Sequence, residues 1–116
     1  MTLLVGSTGS LGGRVARDLL RNGEPVREAG AEIVFGDLKD VDSVARACAG
    51  AAIVITTANS AKRGGDDNLE TVDRRGNRVL IDASRAAGVG HFIFVSALGA
   101  DPESPVQFVR AKAETE

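Results

Sequence analysis

Three glycines at three-residue spacing, Gly6, Gly9 and Gly12, are the strongest chemical signal in this sequence. They follow a short apolar run and precede a segment in which apolar residues recur every four positions, so they predict a tight turn between a strand and a helix. Free backbone N–H groups and the positive end of a helix converge at such a turn and bind an anion. We expect the contacts to come from Gly6, Ser7, Thr8, Gly9, Ser10, Leu11 and Gly12.

Each glycine of this turn has its own expected role. Gly6 would allow the tight turn, Gly9 would let phosphate approach the backbone, and Gly12 would let the helix lie against the sheet. The turn lacks the Gly-Lys-Ser or Gly-Lys-Thr ending of a nucleotide-hydrolysing P-loop. In the context of strand, turn and helix, the pattern predicts that the anion is the pyrophosphate of a dinucleotide.

The elements that must position this turn alternate along the chain. After the first strand and helix, residues 32–37 and 52–58 read as buried strands, and residues 91–97 as another. Helices are predicted from Asp40 to Gly50, over residues 69–87, and from residue 106 onward. This alternation predicts an α/β fold with a doubly wound parallel sheet of the Rossmann type, incomplete at its C-terminal side.

Ligands of such sheets bind at the carboxyl ends of the strands. Gly6, Asp37, Thr56 and Ser96 lie at or just past the ends of the predicted strands. We therefore expect these four residues to meet at one edge of the sheet.

One interval is too short for the predicted topology. Residues 25–27, Pro-Val-Arg, look like a strand, but only four residues separate Arg27 from the next apolar run. A parallel crossover needs at least about 10 to 12 residues. Either residues 25–27 are not a parallel strand, or residues that belong between Arg27 and Glu28 are absent, which we favour. We expect one domain over residues 1–116, with that segment missing and a substrate-binding part after Glu116.

Composition narrows the class of protein and its partners. The net charge is −2 with scattered basic residues, which argues against nucleic-acid binding, and no apolar run approaches the length of a membrane span. Cys48 is the only cysteine and has Ala and Val neighbours at helical spacing, so we expect a buried thiol without a catalytic role. His91 is expected at the surface, and no metal site is predicted. The absence of a disulfide or an apolar leader predicts a cytoplasmic location.

Several ordered segments resemble one superfamily. They are "VGSTGSLGGRV", "GAEIVFGDL", "VITTA", "GNRVLIDASRAAGVGHFIFVSALGAD" and "AKAETE". With its GxxGxxG spacing, the chain resembles the short-chain dehydrogenase/reductase superfamily and, more narrowly, its atypical NmrA-like group of NAD(P)-binding proteins. The resemblance implies that Asp37 and Leu38 flank the adenine. It also implies that Thr56, Thr57 and Ala58 line the adenosine ribose and diphosphate, and that Ser96 lies near the nicotinamide.

The choice between NAD and NADP depends on the end of the second strand. An acidic residue there accepts hydrogen bonds from the ribose of NAD, whereas an arginine pairs with the 2'-phosphate of NADP. Arg27 favours NADP and Arg14 would assist it, while Glu28 would favour NAD if it directly followed Arg27 in space. The balance favours NADP over NAD.

The catalytic residues of the superfamily are only partly present. A tyrosine four residues before a lysine donates the proton in that superfamily, and a serine polarises the substrate carbonyl. Ser96 and Lys112 stand at the matching positions, but Phe108 replaces the tyrosine and the chain contains no tyrosine at all. Asp73 is the nearest counterpart of an asparagine in the long helix. Lys112 would hold the nicotinamide ribose or act as the acid, unless it is a solvated lysine on an exposed helix face.

Two hypotheses follow from these residues. The first is an NAD(P)H-dependent oxidoreductase of the NmrA-like type that acts on a small carbonyl or quinone substrate, and we favour it. The second is a non-catalytic NAD(P)-binding redox sensor that reports to a regulated protein partner. The helices in residues 68–80 and 106–116 would either face water or pair in a homo-oligomer.

Overall fold

The computed structural model describes residues 1–21, residue 34 and residues 36–116. Within this part of the chain, three strands form a parallel sheet: β1 (Thr2–Val5), β2 (Ile53–Thr56) and β3 (His91–Phe94). Their spatial order is β1-β2-β3, with Leu3 opposite Val54 and Val54 opposite Phe92. The carboxyl ends of the three strands therefore lie along one edge of the sheet.

Helices alternate with these strands as the sequence predicts. They are α1 (Ser10–Arg21), α2 (Val41–Cys48), α3 (Arg75–Ala86) and α4 (Gln107–Thr115). Asp40 begins α2, because its carboxylate accepts hydrogen bonds from the N–H groups of Asp42 at 3.1 Å and Ser43 at 3.4 Å. The parallel sheet and the alternating helices confirm the predicted α/β fold class.

The hydrophobic core lies where α2 and α3 pack together on the sheet. Its buried members are Val44, Cys48, Ala51, Val54 and Leu80, and the partly buried side chains of Leu3, Val5 and Phe92 pack against them. The Cys48 side chain is fully buried, with its Sγ 3.8 Å from the Ser84 Oγ. The prediction of a buried thiol is confirmed.

The long helix differs from its prediction at its start. Residues Leu69–Arg74 form a π-helical segment that continues into α3, and the Arg75 N–H donates to the Glu70 carbonyl five residues earlier. Asn68 caps the segment, since its Oδ1 accepts from the N–H groups of Glu70 and Thr71, both at 3.0 Å. Apolar periodicity cannot distinguish this wider turn from an α-helical one, which is why the sequence predicts a single helix.

Some predictions fall outside the described residues. They concern the strand at residues 25–27, the interval between Arg27 and Glu28, and three of the six residues of the strand at residues 32–37. The other three, at positions 34, 36 and 37, are described and do not lie in a strand. Among the helices that are described, every one is too short or too polar to cross a membrane.

Candidate functional site

A cleft of about 710 Å³ lies where β1 and β2 end. Three segments line it: the glycine turn with the first turn of α1, the residues that lead into α2, and the loop that follows β2. The lining residues named by the sequence analysis are Gly6, Thr8, Gly9, Ser10, Leu11, Gly12, Asp37, Leu38, Thr57 and Ala58. The fold thus brings most of the predicted cofactor residues together.

The glycine turn, residues 6–12, has no room for side chains at two of its glycines. Gly6 has a φ of +87°, and a Cβ atom there would lie 2.7 Å from the Thr57 Oγ1. A Cβ atom on Gly12 would lie 2.0 Å from the Gly6 carbonyl oxygen. The absence of these side chains lets α1 approach the ends of β1 and β2 closely.

The start of α1 is electrostatically suited to an anion. The first N–H groups of a helix have no partner within the helix and carry the positive end of its dipole. No acidic residue lies in the first turn of α1, and the Thr8 and Ser10 residues line the cleft beside it. Ser7 is exposed and does not line the cleft. The residues that do line it fit a pyrophosphate.

An ion-pair chain joins two walls of the cleft. The Asp37 carboxylate accepts from the Lys39 N–H at 2.9 Å and from the Lys39 Nζ at 3.0 Å, and these bonds lower the pKa of Asp37. The Lys39 Nζ also donates to the Asp67 carboxylate, which accepts from the Arg63 Nε at 2.8 Å. These bonds lower the pKa of Asp67 and raise the pKa of Lys39.

Sequence reasoning did not find Lys39, Arg63 or Asp67 as site residues. Asp67 lies 28 positions from Lys39, and no local pattern connects them. The one local signal was the spacing of Arg63 and Asp67, four residues apart, which is compatible with an ion pair.

The end of β2 separates three residues that the sequence analysis grouped together. Thr57 and Ala58 line the cleft, and the Thr57 Oγ1 donates to the carbonyl of Val5 at 3.3 Å. The Thr56 side chain is only 1% exposed, and its Oγ1 accepts from the Ala58 N–H at 3.3 Å. The Thr56 side chain therefore does not line the cleft but supports the backbone of residues that do.

Ser96 and Lys112 lie together near the end of β3, outside the lining of this cleft. The Ser96 Oγ donates to the Glu116 carboxylate. Lys112 is only 6% exposed, so the alternative of a solvated lysine is wrong. Its Nζ donates to the Val95 carbonyl at 3.0 Å and lies 4.7 Å from the ring centre of Phe94 and 5.4 Å from that of Phe108. Burial lowers the pKa of Lys112, and the charge of Asp73 partly opposes this effect.

A polar cluster connects the loop after β2 to the π-helical segment and α3. It consists of Ser60, Asp73 and Asn77, the last two being 3% and 2% exposed. The Asp73 Oδ2 accepts from the Ser60 N–H at 3.1 Å and from its Oγ at 2.5 Å, and the Asn77 Nδ2 donates to the Asp73 carbonyl at 2.8 Å. Among the described residues, nothing donates to the Asp73 Oδ1 or the Asn77 Oδ1.

Arg27, on which the preference for NADP depends, lies outside the described residues. Arg14 is exposed on α1 and does not line the cleft. His91 is exposed at the start of β3, as expected.

Comparison with known proteins agrees with this geometry. The model of a family described as NAD(P)H-binding matches residues 6–115. The photosystem II assembly factor Ycf39 of Cyanophora paradoxa is 33% identical over 127 residues, which cover 98% of this chain and 39% of that protein. The NAD(P)H azoreductase of Xenophilus azovorans is 30% identical over 100% of this chain and 42% of its own length.

A solved structure shows the same fold. It is a short-chain dehydrogenase/reductase superfamily protein from Agrobacterium tumefaciens with bound NAD, 27% identical, with a TM-score of 0.78 over 99% of this chain and 42% of that one. The likeness confirms the predicted Rossmann fold class. The chain spans about two fifths of the length of the curated relatives described here. By its match over residues 6–115, the chain belongs to the NAD(P)H-binding family, and its fold is that of the short-chain dehydrogenase/reductase superfamily.

Proposed function

We propose that this chain holds NADP(H) in the 710 Å³ cleft and forms the cofactor-binding part of an oxidoreductase acting on a small carbonyl or quinone substrate. The observation that carries the proposal is the glycine turn. A Cβ atom on Gly12 would lie 2.0 Å from the Gly6 carbonyl oxygen, so the turn is compact, and residues 9–12 at the start of α1 line the cleft.

Each wall of the cleft has a proposed share in binding. The glycine turn would bind the pyrophosphate, Asp37 and Leu38 would flank the adenine, and Thr57 with Ala58 would contact the ribose and diphosphate. Ser96 would orient the substrate carbonyl. When bound, the cofactor supplies a hydride, and the protein supplies orientation and exclusion of water.

A proton source other than tyrosine is needed, because Phe108 occupies the position of the superfamily's tyrosine. We propose Lys112 for this role. Its pKa is lowered by burial, which makes the ammonium a stronger acid than an exposed lysine. Its Nζ lies near two aromatic rings, and the side chain is largely shielded from water.

The second candidate is a cofactor-binding redox sensor without catalysis. It is favoured by the same substitution, because a phenyl ring at Phe108 cannot transfer a proton and the 116-residue sequence contains no tyrosine. In this case the partner would be a regulated protein, and Lys112 would serve only to hold α4 beside β3.

The preference for NADP over NAD is supported by basic residues on the cleft. Lys39, Lys62 and Arg63 line it together with two carboxylates, so the charged lining has an excess of one positive charge from which an additional phosphate would gain. We further propose a cytoplasmic protein. A relative in Arabidopsis thaliana has a name that ends in "chloroplastic", so cell fractionation is the appropriate test.

We also propose that the natural polypeptide is longer than these 116 residues. The chain spans 39% of its relative from Cyanophora paradoxa, and the alignment has more positions than this chain has residues. We expect added residues between Arg27 and Glu28 and a substrate-binding part after Glu116. An intact mass well above 12.0 kDa, measured on protein from its source, supports this; a mass of 12.0 kDa contradicts it.

Two measurements test the function. Calorimetry with NADPH, NADP⁺, NADH and NAD⁺ measures binding, and absorbance at the nicotinamide band measures oxidation of NADPH with a panel of quinones. Binding with steady turnover supports the oxidoreductase, and binding without turnover supports the sensor. No heat with any of the four dinucleotides would contradict both.

A further inference from the structure

We infer that Asp73 is a positioning residue for Lys112: its buried carboxylate supplies the negative charge that keeps the Lys112 ammonium protonated inside the protein. The inference deepens the proposed function, in which Lys112 is the acid. It concerns a residue that would not touch the substrate.

The Asp73 carboxylate is buried and only partly hydrogen-bonded. Asp73 is 3% exposed, and only its Oδ2 has hydrogen-bond partners among the described residues, both of them from Ser60. Its Oδ1 is buried, and no described residue donates to it. A buried carboxylate with one unbonded oxygen is costly unless a positive charge lies near it.

The Lys112 ammonium is also buried and only partly hydrogen-bonded. Lys112 has three N–H donors, and the described structure gives one of them an oxygen acceptor, the Val95 carbonyl at 3.0 Å. The remaining positive charge lies near the rings of Phe94 and Phe108, which compensate only in part for the loss of water. Burial in this setting favours the neutral form of the lysine and so lowers its pKa, and a nearby negative charge opposes that effect.

The buried negative charge of Asp73 and the buried positive charge of Lys112 stabilise each other. The π-helical segment that contains Asp73 packs against α4, which contains Lys112. The Lys112 Nζ is bonded to the Val95 carbonyl and not to the carboxylate, so the two charges act through the protein interior, where their interaction is screened less than in water. Asp73 is the acidic group whose charge favours the protonated form of Lys112.

The other charges on the neighbouring elements are engaged elsewhere. Arg74 pairs with Glu114 at 2.8 Å and with Glu70 at 3.3 Å. Arg110 donates to the Ser104 carbonyl, and Glu116 accepts from Ser96. On β3, His91 lies at the opposite end of the strand and is exposed.

Ser60 connects the Asp73 carboxylate to the loop that lines the cleft. Ser60 lies between Asn59 and Ala61, which both line the cleft, and its hydroxyl holds the Asp73 Oδ2. The carboxylate is therefore bonded to the loop that lines the cofactor cleft, and its helical segment packs against α4. It would fix the charge of Lys112 while its own position depends on the loop against which the cofactor binds.

The test is the titration of Lys112 by NMR on the chain labelled at its lysines. The chain has three lysines, Lys39, Lys62 and Lys112, so the signals are few and Lys112→Arg assigns the one of interest. We expect Asp73→Asn, which keeps the size and the bonds to Ser60, to move the midpoint of Lys112 to lower pH. The matched control is Asp82→Asn, which removes one exposed charge from α3 and leaves the midpoint unchanged.

A rescue variant sharpens the test. Asn77→Asp places a carboxylate one helical turn from position 73, so in the Asp73→Asn background we expect it to move the midpoint back toward that of the parent chain. An unchanged midpoint in Asp73→Asn overturns the inference. Because the titration needs no cofactor, its outcome is separate from the proposed function, which fails only if no dinucleotide binds.

If Asp73→Asn does not fold, thermal unfolding decides. The inference expects Asp73→Asn combined with Lys112→Met to be more stable than either single variant, because the double variant leaves no unpaired buried charge. Strictly additive losses would overturn it.

Discussion

At the scale of single residues, the adjacent glycines Gly12 and Gly13 differ in the space available for a side chain. A Cβ atom on Gly12 would lie 2.0 Å from the Gly6 carbonyl oxygen, whereas one on Gly13 would lie 3.5 Å from the Ser7 carbonyl oxygen, an ordinary contact. We expect Gly12→Ala to lower the free energy of unfolding by about 1–3 kcal/mol and to abolish binding of NADPH, because the turn must open to accept the methyl group. Urea unfolding and calorimetry measure the two effects.

Gly13→Ala is the matched control. It adds the same methyl group one residue later, within α1, where alanine is favoured over glycine by up to about 1 kcal/mol. We expect binding of NADPH to be retained and the protein to be as stable as the parent or more so. Equal losses in the two variants would contradict the proposed role of the glycine turn.

A second residue-scale prediction concerns Phe108. Its ring centre lies 5.4 Å from the Lys112 Nζ, and the residue is 37% exposed, so a hydroxyl group can be added without filling a closed core. If the reaction is limited by proton donation, Phe108→Tyr should raise kcat for quinone or carbonyl reduction by about a hundredfold, the lower end for general acid catalysis.

The control for this variant is Phe108→Leu, which removes the ring and adds no donor. It should lower kcat or leave it unchanged. A parent chain and a Phe108→Tyr variant that both bind NADPH and both fail to turn over would instead support the sensor.

The residues of the glycine turn were predictable, whereas those of the polar cluster were not. Gly6, Gly9 and Gly12 occur within seven positions, and their chemistry follows from local backbone geometry. Asp73 bonds to Ser60, which lies 13 residues earlier in the chain, in the loop after β2. Lys112 is buried near the rings of Phe94 and Phe108. Lysine is rarely buried, so its type alone favours a solvated position, and only the packing of α4 reveals otherwise.

At the scale of elements, the loop after β2 is held to the turn before α2 by the bond between Lys39 and Asp67. We expect Asp67→Asn to release Lys39 and Arg63 from their shared partner. Both cations line the cleft, so the affinity for NADPH should rise by up to about fivefold, a small change because exposed ion pairs are weak. Calorimetry at low and high salt measures the change, which should be larger at low salt.

Asp66→Asn removes the same charge from the neighbouring residue and serves as the control. Asp66 is exposed, and its side chain does not line the cleft. A weaker affinity in Asp67→Asn than in Asp66→Asn would show that the loop, and not the freed charge, determines binding.

Element order was also more predictable than element detail. Capping by Asp40 and the end of α2 before Gly50 follow from the residue types at those positions. The π-helical segment Leu69–Arg74 was not predictable from the sequence. In it the Asp73 carbonyl accepts from the Asn77 amide, and the position of that amide depends on how the helix packs. Bonds that cross the fold, such as the one between Arg74 and Glu114, carry no local signal.

At the scale of the whole molecule, buried Lys112 makes stability depend on pH. Its pKa is lowered in the folded chain, so the unfolded chain binds this proton more tightly. Between the lowered pKa and the ordinary value of about 10.4, the free energy of unfolding should therefore rise with pH and fall as pH decreases. Urea unfolding at a series of alkaline pH values measures this slope.

Lys112→Met should flatten the slope, because methionine has no proton to exchange. Lys62→Met is the control, since Lys62 is exposed and its replacement should leave the slope as it is. A slope that survives in Lys112→Met would assign the pH dependence to another group.

The burial of Cys48 gives the molecule a built-in reporter. Its thiol has no exposed surface and is the single sulfhydryl of the chain, so an alkylating reagent can reach it only when α2 separates from β2 and α3. The rate of alkylation therefore counts openings of the core under native conditions. If a dinucleotide binds only the closed form, increasing concentrations of it should slow that reaction so that its rate follows the unoccupied fraction of the protein, which would measure ligand affinity without any enzymatic assay.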